Sequence, residues 1–243
     1  QFALDDLREI VTGAGDQLDC VMVPKVQNSG DIAFVDRALD SLEQTLGFEH
    51  GRIGIEAQVE DALGLMNAEQ IAFASKRIET ITYGPADFSA NMQLPSLTVA
   101  NTYNYPGDIF HYVLFKLAVA ARAAGIQVVD GPYLAIRDIE GFRAAAGRAA
   151  ALGYDGKWVL HPAQIEPCNE VFTPGQEDFD KAVQILEAYT HATEVQRRGA
   201  VMLGDEMIDE ASRKMAKQFE MRGRAAGLTP SPHDEKMETA AVG

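Results

Sequence analysis

The stretch ITYGPADFSA, from Ile81 to Ala90, places an acid just beyond a short run that is typical of a buried β-strand. The β-branched run ends at Gly84-Pro85-Ala86, and Asp87 follows at once. A carboxylate at the end of a buried strand does nothing to stabilise the strand itself. This position therefore bears on both the fold and the function.

Four further β-rich runs surround this one, and helical patterns separate them. The predicted strands cover residues 19–25, 52–57, 78–87, 126–132 and 156–162. The predicted amphipathic helices lie near residues 29–46, 58–73, 108–124, 138–152 and 176–198. Strands that alternate with helices pair in parallel through crossover connections. The spacing of about 30 to 35 residues is that of a βα unit.

Two parallel architectures fit this alternation: an open doubly wound sheet and a closed (β/α)8 barrel. The sequence has no GxGxxG motif and no P-loop, so an open nucleotide-binding sheet lacks its fingerprint. Polar side chains directly follow the predicted strands at Lys25, Glu56, Asp87, Asp130 and His161. Because barrel enzymes build their active sites at that end of the strands, we favour the barrel. With only five strands, it requires about three βα units before Gln1.

The composition is that of an acidic globular chain. Of 243 residues 47% are hydrophobic, and 36 acids against 21 Lys and Arg give a formal net charge of -15. Such a field disfavours nucleic acid and anionic membranes as partners. Cys20 and Cys168 are far apart, so we expect neither a disulfide framework nor a zinc site. The same cysteine usage makes a reducing cytoplasm the default expectation, and no signal peptide and no membrane span of roughly 18 apolar residues is visible.

Glu56 and Asp87 are candidate metal ligands. On neighbouring parallel strands their carboxylates could converge and bind Mg²⁺, which completes its shell with water and ligand oxygens. Each acid could instead cap the helix that follows, but two acids beside Gly or Pro favour the metal.

Four other polar residues have competing interpretations. His161 is either a base or a structural hydrogen-bonding group, and Lys25 either binds an anion or neutralises the acidic site. Lys157 fits an internal ion pair. Asp209, in EMIDEAS, has the position of a helix N-cap.

Several motifs together resemble the citrate lyase β-subunit and malyl-CoA lyase family. They are VMVPKV, IGIEAQVEDALGL, ITYGPADFSANM, YPGD, VVDGPY, MIDEAS and the run from Gly141 to Pro174. They occur in family order, and the long run is most similar to the malyl-CoA and β-methylmalyl-CoA lyase branch. The resemblance implies a (β/α)8 barrel of which this chain carries the fourth to eighth strands, plus a C-terminal helical extension.

The resemblance also implies a division of the chain into three parts. Residues 1–198 would form the five βα units, residues 199–228 an arm or lid that reaches a neighbouring subunit, and residues 229–243 a flexible tail. The implied assembly is a homo-oligomer, either a trimer or a hexamer, in which Asp209 acts as the catalytic residue of the neighbouring subunit's site.

The site residues implied by the resemblance are Glu56 and Asp87 for Mg²⁺, with Mn²⁺ as a possible substitute. The main chain of Gly84, Pro85 and Ala86 would hold the carboxylate of a 2-oxoacid such as glyoxylate. The coenzyme A chain would pass Gly131, Pro132 and Tyr133.

The implied activity is that of a Mg²⁺-dependent carbon–carbon lyase. It would reversibly cleave L-malyl-CoA or β-methylmalyl-CoA to glyoxylate and acetyl-CoA or propionyl-CoA. Alternatives within the family are a citramalyl-CoA or citryl-CoA lyase, a malate synthase and a malyl-CoA thioesterase. A class II pyruvate aldolase without coenzyme A and a subunit that has lost activity are further alternatives.

Overall fold

The computed structural model describes residues 2–95, 106–195 and 197–232. The chain divides into two compact units, residues 1–172 and residues 173–243. The last eleven residues of the predicted tail and Tyr105 of the YPGD motif lie outside the described residues. No helix among the described residues is long and apolar enough to cross a membrane.

The first unit contains a five-stranded sheet whose strands are neighbours in chain order. They are β1 (Cys20–Val23), β2 (Gly54–Val59), β3 (Ile78–Tyr83), β4 (Gln127–Asp130) and β5 (Gly156–Lys157). All four pairings are parallel. The predicted α/β class with a parallel sheet is therefore confirmed, and this strand order is that of consecutive strands in a barrel.

Eight helices are described in the first unit. They are α1 (Ala3–Ala14), α2 (Ser29–Leu46), α3 (Ala62–Met66), α4 (Ala68–Ala72), α5 (Pro85–Asn91), α6 (His111–Ala124), α7 (Ile139–Ala151) and α8 (Ile165–Phe172). Local signals set several of their ends. Asn28 and Asp31 form a capping box at the start of α2, and Gly47 ends that helix in the left-handed conformation.

The core of the first unit lies against one face of the sheet. Ile55, Ala57 and Val59 of β2 are fully buried with Leu114 and Leu117 of α6 in one cluster. Because side chains alternate along a strand, the residues between them point to the other face. This alternation separates an apolar face from a face that carries acids.

Arg77 ties the beginning of β3 to α2. Its guanidinium, 5% exposed, donates to Asp36 at 2.8 Å and to Glu43 at 2.6 Å. Burial raises the pKa of Glu43, but the hydrogen bond from Arg77 and main-chain donors outweigh it and lower that pKa to about 2. No local pattern in the sequence predicts this cluster, because its members are far apart in the chain.

The second unit consists of two helices and a hairpin. The elements are α9 (Gln176–Glu194), the antiparallel strands β6 (Val201–Leu203) and β7 (Glu206–Ile208), and α10 (Glu210–Ala225). Phe179 of α9 is fully buried, and Gly223 of α10 leaves room for its ring.

The predicted ends of the second strand and of the helix after it are wrong. The strand predicted to end at 57 continues to Val59 because it pairs with β3 as far as Val59 opposite Tyr83. The helix predicted over 58–73 is two short helices, α3 and α4, on either side of Asn67.

Two other predicted strands are too long. The strand predicted over 78–87 ends at Tyr83, and Pro85 begins α5, because proline is favoured at the first helical position. The strand predicted over 156–162 is two residues long and pairs with β4 over that length alone.

Candidate functional site

Glu60 and Asp87 lie at the carboxyl ends of adjacent strands. Glu60 directly follows β2 and is 5% exposed. Asp87 lies in the first turn of α5, after β3. Since Val59 pairs with Tyr83, the next position puts Glu60 opposite Gly84. Asp87 therefore has a second acid, Glu60, beside it, and Glu60 was not among the site residues predicted from the sequence.

Gly84 is required at this edge because the Glu60 side chain fills the space a larger residue would need. A Cβ atom at position 84 would lie 2.3 Å from the Glu60 Cβ and 2.5 Å from its Oε2. The φ angle of Gly84 is -103°, which any residue can adopt. The constraint is therefore space and not backbone conformation.

Lys25 contacts both acids. Its main-chain N–H donates to Glu60 Oε1 at 2.9 Å, and its ammonium donates to Asp87 Oδ1. The hydrogen bond to Asp87 raises the pKa of the Lys25 ammonium. Of the two interpretations of Lys25, neutralisation of the acidic site is the one that matches these contacts.

Burial raises the pKa of the Glu60 carboxyl. The Lys25 main-chain N–H opposes this shift, and the neighbouring Asp87 carboxylate adds to it. Two neighbouring carboxylates repel each other, and a cation bound between them stabilises both in the ionised form. The electrostatics of the edge therefore suit a bound positive charge.

Glu56 does not lie at the carboxyl end of its strand, where it was predicted. It is the third residue of β2 and not the residue after it, and it accepts a hydrogen bond from the Thr82 hydroxyl. Three residues, Ala57, Gln58 and Val59, lie between Glu56 and Glu60, so the four steps of the strand separate the two acids by about 13 Å. The prediction that Glu56 directly follows its strand is wrong, because pairing with β3 extends β2.

The turn before Asp87 has few free main-chain donors. The Gly84 N–H donates to the Val59 carbonyl at 3.0 Å, and Pro85 has no N–H. The N–H groups of Ala86 and Asp87 begin α5, which has no side-chain cap among the described residues. Binding of an oxoacid carboxylate by Gly84, Pro85 and Ala86 stays a prediction.

Gly131 supports the same turn from β4. A Cβ atom on Gly131 would lie 2.1 Å from the Tyr83 carbonyl oxygen and 2.3 Å from Pro85 Cδ. Tyr133 donates to Asp138 Oδ2 at 2.7 Å, and burial with this bond raises its pKa to about 12. Gly131, Pro132 and Tyr133 line a small cavity with Arg148 and Lys157. Their predicted contact with coenzyme A stays a prediction.

Lys157 and His161 have structural partners. The Lys157 ammonium donates to Asp130 Oδ2 at 2.5 Å, and both side chains are 3% exposed. The predicted internal ion pair is confirmed. His161 follows no regular strand; its Nδ1 accepts from the Ala163 N–H at 3.1 Å and caps the 3₁₀ turn Pro162–Gln164.

Asp209 caps α10 in the second unit. Its Oδ1 accepts from the Ser212 N–H at 3.0 Å, and the two residues form a capping box. The Ser212 main-chain bond holds the pKa of Asp209 below its usual value. The predicted cap is confirmed, and the cap keeps the carboxylate ionised and fixed in orientation. Its catalytic role stays a prediction.

The donor set at Glu60 and Asp87 fits a hard divalent cation. Both ligands are carboxylates, which Mg²⁺ prefers, and Mg²⁺ usually takes one or two protein carboxylates and keeps several waters. Among the described residues no group of three or more His, Cys, Asp and Glu side chains is gathered for a metal. An ion here would therefore leave positions open for substrate oxygens.

A parallel sheet in chain order, with acids at the carboxyl edge, defines an α/β enzyme of the barrel class. The chain belongs to the HpcH/HpaI aldolase/citrate lyase family, because the sequence model of that family matches residues 1–162. The family expected from the motifs is confirmed.

Two relatives and one solved structure show the extent of the similarity. The L-malyl-CoA/β-methylmalyl-CoA lyase of Cereibacter sphaeroides is 36% identical over 225 residues, 88% of this chain and 70% of that protein. The citrate lyase subunit beta of Haemophilus influenzae is 36% identical over 86% of this chain and 68% of that protein. The protein CitE of Mycobacterium tuberculosis, solved with magnesium, acetoacetate and coenzyme A, is 26% identical with a TM-score of 0.68, covering 90% of this chain and 73% of that one.

Proposed function

We propose that this chain is a Mg²⁺-dependent lyase that cleaves L-malyl-CoA or β-methylmalyl-CoA to glyoxylate and a shorter acyl-CoA. The observation that carries the proposal is the pairing of Glu60 with Asp87 at the carboxyl edge, both in contact with Lys25. The name of the Cereibacter relative supports the substrate class. The magnesium in the Mycobacterium structure supports the metal.

Glu60 and Asp87 are the residues that would hold the ion, so Glu60 replaces Glu56 in our assignment. When bound, Mg²⁺ would polarise the carbonyl oxygen of the 2-oxoacid. Gly84 leaves the space that the Glu60 side chain occupies, and Gly131 leaves the space that Pro85 occupies. These two glycines therefore act by positioning the carboxylates.

Asp209 would move the proton in this reaction. Cleavage leaves a thioester enolate that must gain a proton at carbon, and condensation requires the reverse. The hydrogen bond from the Ser212 main chain lowers the pKa of Asp209 and keeps its carboxylate ionised, which is the state that can accept a proton in the condensation direction. Its action in a neighbouring subunit of a homo-oligomer is part of this proposal.

The function is tested by incubating the chain with malyl-CoA and Mg²⁺ while glyoxylate, acetyl-CoA and free CoA are measured together. We expect glyoxylate and acetyl-CoA in equal amounts, and loss of both with EDTA. Free CoA with malate would instead indicate a hydrolytic enzyme. No turnover would direct the assay to citramalyl-CoA and then to a pyruvate aldol without coenzyme A.

A pair of variants tests which acid holds the metal. We expect Glu60→Gln to reduce turnover at least about a hundredfold, the scale on which loss of a charge that stabilises the transition state acts. Glu56→Gln keeps the Thr82 partner and should retain most activity. The opposite ranking would restore Glu56 as the ligand.

Citryl-CoA cleavage is a second candidate because the Haemophilus citrate lyase subunit is equally similar, at 36% identity. The two substrates differ in the oxoacid that is released. Assaying citryl-CoA and malyl-CoA side by side, with oxaloacetate and glyoxylate as products, separates them.

A further inference from the structure

Lys25 is held in an unusual conformation at the end of β1. Its φ angle is +53°, in the left-handed region that residues other than glycine rarely adopt. The main-chain N–H is anchored on buried Glu60, while the ammonium reaches Asp87 on the exposed side. One residue thus contacts both proposed metal ligands, the first through its main chain and the second through its side chain.

The two contacts differ in how easily they can be broken. The side chains of Lys25 and Asp87 are 62% and 55% exposed, and the lysine ammonium is carried on a flexible stem of four carbons. An exposed ion pair of this kind contributes little to stability. The ammonium can therefore leave Asp87 while the Lys25 main chain stays bound to Glu60.

We propose that the Lys25 ammonium is an exchangeable counter-ion of the metal site. It neutralises Asp87 in the metal-free protein, gives up this carboxylate to the divalent ion, and then binds the carboxylate of the 2-oxoacid. This inference rests on the proposed function, because it takes Glu60 and Asp87 as the ligands.

The charges support this exchange. Counting these three residues alone, two carboxylates and one ammonium leave one negative charge in the metal-free site. A divalent ion turns this into one positive charge, which matches a single oxoacid carboxylate. Lys25 would thus weaken metal binding on its own and strengthen binding of the oxoacid once the metal is present.

The test compares wild type, Lys25→Met and Lys25→Arg for binding of Mn²⁺, measured as free Mn²⁺ by electron paramagnetic resonance at low ionic strength. We expect Lys25→Met to bind Mn²⁺ about tenfold more tightly, because a neighbouring positive charge is removed. Lys25→Arg keeps the charge and should bind like wild type. Lys76→Met is the matched control, since Lys76 is exposed and lies before β3, at the end away from Asp87.

A second measurement follows glyoxylate binding by calorimetry with saturating Mn²⁺. We expect about tenfold weaker binding in Lys25→Met and near-normal binding in Lys25→Arg. Equal Mn²⁺ and glyoxylate affinities in Lys25→Met and Lys76→Met would overturn the inference and leave the proposed function intact. The variant Asp87→Asn distinguishes failure of the Lys25 inference from failure of the proposed function. If wild type and Asp87→Asn bind Mn²⁺ equally, Asp87 is not a metal ligand and both proposals are wrong.

Discussion

At the scale of single residues, the site depends on Gly84, because a glycine at this position leaves room for the Glu60 side chain. An alanine there would place its Cβ 2.3 Å from the Glu60 Cβ, so Glu60 would have to move. We expect Gly84→Ala to fold with a loss of about 1–3 kcal/mol, the usual cost of overpacking. Mg²⁺ should then raise its melting temperature less than it does for wild type.

The control for Gly84→Ala is Gly147→Ala in α7. A Cβ atom at position 147 has no neighbour within 4 Å, and alanine stabilises a helix interior by up to about 1 kcal/mol relative to glycine. The two variants should therefore change the melting temperature in opposite directions. An equal response to Mg²⁺ in both would show that the space beside Glu60 is irrelevant to the metal.

At the scale of elements, the contact between α2 and β3 depends on an ion pair that is sensitive to acid. The pKa of Glu43 is lowered from 4.5 to about 2, so its contribution is complete above pH 4.5 and disappears as the pH falls through 2. The shift corresponds to about 3 kcal/mol of folding free energy. We expect Glu43→Gln to be less stable than wild type by about this amount at pH 7.

The sign of the pH dependence checks this assignment. Urea unfolding between pH 7 and pH 3 should show the difference between wild type and Glu43→Gln narrowing as the pH falls. Glu49→Gln, at an exposed position after the same helix, should show no such change. A constant difference at all pH values would mean that the loss comes from packing and not from the charge.

The start of α10 allows the cap to be separated from the proposed chemistry. Asn and Asp cap helices about equally well, whereas alanine costs about 1 kcal/mol. We expect Asp209→Asn to keep the wild-type melting temperature and to lose at least about a hundredfold in turnover. Asp209→Ala should lose both. Full activity in Asp209→Asn would reduce Asp209 to a helix cap.

At the scale of the whole molecule, the proposal that Asp209 acts in a neighbouring subunit can be tested by mixing inactive variants. Asp87→Asn and Asp209→Asn should each be inactive alone. After joint refolding, about one quarter of the sites in a closed ring would combine an intact Asp87 with an intact Asp209 from the next chain. Recovery of activity to that extent, measured with malyl-CoA, supports a shared site. No recovery in mixed oligomers would place both residues in one chain.

Much of the fold could be predicted from local patterns. The helix predicted over 29–46 has the bounds observed for α2, Ser29–Leu46, because its capping box and its final glycine are encoded in neighbouring residues. The Asp209 cap was predicted for the same reason. The ends of β2, β3 and β5 were predicted poorly, since strand length depends on pairing partners that lie elsewhere in the chain.

The sequence by itself determined the alternation of strands and helices, the family, and the acid at Asp87. Only the tertiary structure decided which acid stands beside it. The register of β2 against β3 shifts between Ile55, which pairs with Ile78, and Glu56, which pairs with Thr80. That one-residue shift puts Glu60 opposite Gly84. Which residues face each other across a sheet depends on how the two strands pair, and the sequence of either strand alone does not determine it.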